Sequence, residues 1–115
     1  MTEQGEIPSY ESLSADDKQT QMFVSLIYSM HTAGMFQLGK MASPISGKVE
    51  RDINQARYTI DLLDMLYTKT KGNLSSEEES LLKRFLSELR MNYLDELNKP
   101  ATEPSAASDS QSAEA

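Results

Sequence analysis

The chain has 115 residues, a formal charge of −7, one histidine, no cysteine and no tryptophan. One small domain is the most this length holds. The lack of cysteine excludes disulfide scaffolds, thiol catalysis and cysteine-ligated zinc or iron–sulfur sites, and a single histidine leaves few groups for acid–base or metal chemistry near neutral pH.

The charge sits at the two ends. Residues 1–15 carry Glu3, Glu6 and Glu11, residues 100–115 carry Glu103, Asp109 and Glu114, and neither stretch has a base. Residues 16–99 hold the other twelve acids against all eleven bases. Net charge alone therefore neither draws nor repels nucleic acid strongly over this middle part. The opening residues show no basic-then-apolar leader pattern, so a cytoplasmic location is expected. Residues 1–13, with Gly5 and Pro8, read as a flexible acidic segment that Ile7, Tyr10 and Leu13 would tack onto the core. Residues 100–115 have no large apolar side chain and read as a disordered tail. The domain proper is expected over residues 14–99.

Three helical patterns fill it. Ser14 is the expected N-cap of the first, with Asp16 and Asp17 complementing the positive end of the helix dipole. Its main apolar stripe is Met22, Phe23, Leu26, Ile27, Met30, Ala33, Leu38 and Met41, and Gly39 weakens or ends it. Pro44 and Gly47 mark a loop. In the second pattern Val49, Ile53, Ala56, Ile60, Leu63 and Tyr67 recur in steps of four and three, one seam of a helix. Gly72 is placed for the left-handed residue just past its end, with Leu74 positioned to contact the last turn. Ser75 and Glu78 form the spacing of a capping box. Leu81, Leu82, Phe85, Leu86, Leu89, Tyr93 and Leu97 then give a broad apolar face up to Pro100. About four residues join the second and third patterns, which predicts an antiparallel hairpin. No stretch alternates with period two long enough for a strand. The expected fold is all-α: a helix hairpin plus a long N-terminal helix.

The segment Ile60 to Tyr93, above all Lys69-Thr-Lys-Gly-Asn-Leu74 followed by Glu77-Glu78, resembles the domain-of-unknown-function 1844 family of small bacterial proteins. Phe23-Val-Ser-Leu-Ile27, Leu38-Gly39, Pro44-Ile-Ser-Gly47 and Asp52-Ile-Asn-Gln-Ala56 are similar to that family's pattern in the same order. The resemblance implies a soluble bacterial helical protein. It carries over no activity, ligand or catalytic residue.

Candidate sites are few. Lys69, Lys71, Gly72 and Asn73, ahead of Ser75 and Glu78, have the makings of a small anion-binding turn. Offsetting a helix dipole and capping two helix ends explains them more simply, and Glu77 to Glu79 would repel an anion. Those three Glu point about 100° apart along a helix and do not converge on one metal. Asp61 and Asp64 share a helix face, and His31 is the one group with an ordinary pKa near neutrality. Were all three to line one cleft, a small-ligand binder or enzyme subunit would gain weight. No nucleophile elbow and no phosphate loop is present, so no catalytic residue, cofactor or metal is assigned.

From Gln19 to Gly39 no residue is charged. The length suits a membrane span, but the polar residues among these 21 argue for a helix packed in protein. Val24, Tyr28 and Met35 form a second apolar stripe on this helix, and Tyr58, Leu62 and Met65 form one on the next. A helix apolar on two sides is packed on two sides. The expectation is therefore a self-associating interaction or accessory module with an unidentified protein partner. The alternative, an accessory protein of nucleic acid or the ribosome, needs a basic face. Lys48, Arg51, Lys69, Lys71, Lys83, Arg84 and Arg90 are too scattered to supply one.

Overall fold

The computed structural model describes residues 9–99. They form α1 (Ala15–Gln37), α2 (Ile53–Thr70) and α3 (Ser76–Leu97), preceded by one 3-10 turn at Tyr10–Ser12. The fold is the all-α three-helix domain that the periodicities predict. Of the segment expected to be flexible, residues 1–8 lie outside the described part, as does the tail 100–115. Residues 9–13 hold the 3-10 turn, with Lys18 set over the Tyr10 ring at 5.4 Å.

Each helix begins with a side chain that satisfies one of its orphan amides. Ser14 accepts from the Asp17 N–H at 3.1 Å, Asp52 from the Gln55 N–H at 3.1 Å, and Ser75 from the Glu78 N–H at 3.1 Å. Glu78 completes the capping box by accepting the Ser75 N–H at 2.8 Å. Because α2 starts at Ile53, Val49 precedes the helix and is 43 % exposed.

The two glycine ends are built differently. At the end of α1 the Lys40 N–H bonds to the Met35 carbonyl and the Gly39 N–H to the Phe36 carbonyl, both at 2.9 Å, with Gly39 at φ +78°. That pair of bonds is the Schellman cap. At the end of α2, Lys71 is extended (φ −56°, ψ 131°), Gly72 has φ +88°, and the Asn73 N–H bonds to the Thr70 carbonyl at 2.9 Å. This is a type II turn, which requires a left-handed third residue. Gly72 is left-handed, as its position predicts, but as the hinge of the hairpin rather than as the helix cap.

The helices pack pairwise in a triangle. α1 runs antiparallel to α2, since Thr59 donates to Gln37 at 2.6 Å and the Asp52 N–H bonds to the Gln37 carbonyl at 2.7 Å. α1 runs parallel to α3, as the pairs His31–Glu88 and Lys40–Asp95 show. Ile27 and Leu38 of the first pattern, Ala56, Ile60 and Leu63 of the second, and Leu82, Phe85, Leu86 and Leu89 of the third make the buried core. Gly34 lets α1 approach closely: a Cβ there would lie 2.8 Å from a methyl of Leu89. Among the described residues no helix is long and apolar enough to cross a membrane.

A Cβ on Gly72 would meet nothing within 4 Å. Gly72→Val therefore costs only backbone strain, about 1–2 kcal/mol. Its thermal melt should fall by about 5–10 °C.

Candidate functional site

His31 lies between α1 and α3. Its ring stacks on Phe85 with centroids 4.3 Å apart, and its Nε2 is 2.9 Å from Glu88 Oε1. Tyr28, one turn earlier, meets Phe85 edge-on at 5.5 Å. Asp64 pairs with Arg90 at 3.2 Å. His31 meets one flank of α3 and Asp64 the other, while Asp61 is exposed on α2. The three do not line one cleft, so the arrangement that would favour a small-ligand site is not formed. Among the described residues no three His, Asp or Glu side chains gather as a metal would need.

The densest polar cluster centres on Glu96. This residue is only 3 % exposed, yet Lys40 reaches its Oε2 and Arg51 its Oε1, both at 2.8 Å. Lys99 also contacts Oε2 at 2.8 Å, and Arg51 donates a second bond to the Glu96 carbonyl at 3.0 Å. Lys40 bridges on to Asp95 at 2.8 Å. Burial alone pushes the Glu96 carboxyl up, but the hydrogen bonds and attraction from Lys40 and Lys99 outweigh it and hold it below its ordinary 4.5. Hydrogen bonds to Asp95 and Glu96 raise Lys40 in turn. The signal in the sequence is phase: Glu96 continues the core seam of Leu82, Phe85 and Leu89 in steps of three and four. A carboxylate at such a position is buried and must be paired.

Beside this cluster the crossover between α1 and α2 shapes an open concavity of about 550 Å³, lined by Phe36, Gln37, Ser43, Arg51 and Gln55 among others. Four of its polar side chains are committed. Arg51 is held by Glu96, Asp52 caps α2, Gln37 accepts from Thr59, and Ser43 accepts from the amides of Ile45 and Ser46. Nothing converges there on a reacting centre.

The hairpin motif is likewise built for capping. Ser75 and Glu78 bond each other's backbone, and Gly72 makes the turn. Lys71 lies over the Tyr67 ring at 5.5 Å, while Lys69 and Asn73 are exposed. Lys83, Arg84 and Arg90 each pair with an acidic residue, which leaves the scattered bases without a continuous face.

The structure puts the two apolar stripes on different surfaces. Val24, Tyr28 and Met35 follow the α3 side of α1, where Met35 packs against the core and Val24 is half-buried. The chain's own third helix thus covers part of this stripe. Met22 and Leu26, read as core, are instead 52 % and 47 % exposed. No charged residue from Gln19 to Gly39 marks the wet side of α1. On α2, Tyr58 and Met65 are 57 % and 46 % exposed and Leu62 is half-buried between them and α1.

A family described as a domain of unknown function (DUF1844) matches residues 20–95. The chain belongs to this family. The match covers α1 from its second turn, the crossover, α2 and all but the last residues of α3, and it contains the segments that carry the resemblance. None of the curated proteins and none of the solved structures compared with the chain matches it.

Glu96 makes stability depend on pH with a definite sign. A carboxyl held below its ordinary value adds stability above that value and loses it as the pH falls through the folded-state value. The melting temperature should therefore drop as pH falls below about 4.5. Glu96→Gln should be less stable at pH 7, by about 3 kcal/mol, because it strands Lys40 and Arg51. Its melt should also change less across the acid range, measured by circular dichroism.

Proposed function

We propose that this chain is a protein-interaction module that associates with itself and works by presenting apolar helix faces rather than by chemistry. The stripe of Tyr58, Leu62 and Met65 on the outside of α2, next to the exposed Met22 and Leu26 of α1, carries the reading. Contiguous apolar surface of this kind marks sites of association. Aromatic and methionine side chains are also enriched at interface centres. The polar clusters support the same reading from the other side. The Glu96 group, the Ser75–Glu78 cap and the His31–Glu88 contact each join one part of the fold to another, and their donors and acceptors are spent in doing so. Methionine at Met22 and Met65 suits a surface that adapts to its partner.

Sedimentation velocity of the full chain across the micromolar range tests this reading. A dimer or larger species that dissociates on dilution is expected. A monomer throughout, up to the highest concentration, overturns self-association.

A further inference from the structure

Self-association, as just proposed, leaves open which surface meets which, and α2 carries the pattern that decides it. Successive residues of a helix point 100° apart. Turning about α2 from Asp64, which pairs with Arg90 of α3, to Thr59, which bonds Gln37 of α1, one meets Arg57, Asp61, Met65, Tyr58, Lys69 and Leu62 in that order, with Lys69 one turn past Met65 at the end of the helix. The apolar stripe is thus bordered by α1 on one flank and by one base and one acid on the other. Arg57 and Asp61 are both exposed. They lie one turn apart in the less favourable order for pairing along a helix, and neither forms an ion pair among the described residues.

We infer that a second copy of this chain docks on this surface with the two α2 helices antiparallel, so that Arg57 and Asp61 of each copy face the partner's Asp61 and the partner's Arg57. A two-fold axis perpendicular to α2, level with residue 59, sets the same flank of each helix together and residue 57 of one opposite residue 61 of the other. The two opposite charges then complement themselves. A uniformly basic or acidic partner would be repelled by one of the pair. Arg57 and Asp61 cancel, so the patch itself adds no repulsion between copies. A self-complementary patch is what a two-fold dimer requires.

The size suits a weak, reversible dimer. In this register residues 53–65 of the two α2 helices overlap, over about 20 Å. With α1 packed alongside at about 8–10 Å, the contact falls below the roughly 1,200 Å² at which stable interfaces begin, in the range of transient ones. Leu26 and Met22 extend the apolar area toward the start of α1.

Sedimentation velocity on the full chain tests the arrangement with a charge-swap cycle. Arg57→Asp puts acids against acids and Asp61→Arg puts bases against bases. Each should raise the dimer dissociation constant about 3–10-fold. The double variant Arg57→Asp with Asp61→Arg restores both pairs and should return within about twofold of the wild type. Met65→Glu should raise the constant by about a hundredfold or more, whereas Met91→Glu, on the outer side of α3 and 67 % exposed, should leave it unchanged. Circular dichroism confirms folding, and if Met65→Glu unfolds, the swap cycle at two exposed positions decides alone. A double variant as weak as the single ones overturns the antiparallel pairing. A dimer that survives Met65→Glu but is lost in Met91→Glu overturns this surface and leaves self-association standing. A wild type that is monomeric at every concentration removes both.

Discussion

Glu96 joins the parts of the molecule that the chain itself leaves far apart. The hairpin of α2 and α3 closes through a tight turn, but α1 reaches α2 only through residues 38–52, a crossover without regular secondary structure. Loops of that length are uncommon within a compact domain. Lys40 stands at one foot of this crossover and Arg51 at the other, and both end on the Glu96 carboxylate. Arg51 also takes up the Glu96 carbonyl in the last turn of α3, one of the groups a helix end leaves without a partner. One side chain thus fixes both ends of the crossover to the third helix. Truncating it would strand Lys40, Arg51 and Lys99 without their shared partner, a far larger loss than that of a surface ion pair.

The parts of this architecture that were legible in the sequence are those with local causes. Ser75 and Glu78 cap α3 because three residues of helix bring each within reach of the other's backbone, whatever the rest of the fold does. The α2 seam of Ile53, Ala56, Ile60 and Leu63 is legible because Arg57, Asp61 and Asp64 mark its wet side. α1 lacks that contrast. Its apolar residues lie on most of its circumference, so Leu26 and Met22 read as core although Gly34 decides otherwise. Close approach at Gly34 turns the line of Ile27 and Leu38 inward and leaves Met22 and Leu26 outside. The roles of Gly39 and Gly72 turn on the residue before each. Leu38 stays helical and lets Gly39 close a Schellman cap, whereas Lys71 is extended and makes Gly72 a turn residue.

Charge in the described part is spent largely on internal order. Lys40, Arg51 and Lys99 gather on Glu96, Arg90 ties α3 to Asp64 of α2, and Lys83 and Arg84 pair along α3. These pairs have opposite burial and therefore opposite worth. Those on α3's exposed face add tenths of a kcal/mol at best. The group on Glu96 costs far more to break, since losing a cation leaves a carboxylate that is 3 % exposed without its partner. Seen from α2, the same distribution isolates Arg57 and Asp61: Asp64 is drawn to Arg90, and the next charged neighbours belong to other clusters.

A domain of this size buries a limited core, and cores of about 80 residues supply only a few kcal/mol of net stability. Nine side chains make up the buried cluster here, while Met22, Leu26, Tyr58 and Met65 remain about half in water on one side of the molecule. Apolar surface left outside a small core is stabilisation not yet realised, at about 25 cal/mol for each Å² covered. Covering it would bind the folded form and not the unfolded chain, so fold and assembly would draw on the same residues and stability would rise with concentration. The absence of charge along α1 beyond its first turn then has a single physical sense. A lysine or glutamate on that helix would make the monomer more soluble, but it would have to be desolvated wherever α1 is packed, against α2, against α3 or at the open face between Met22 and Met65.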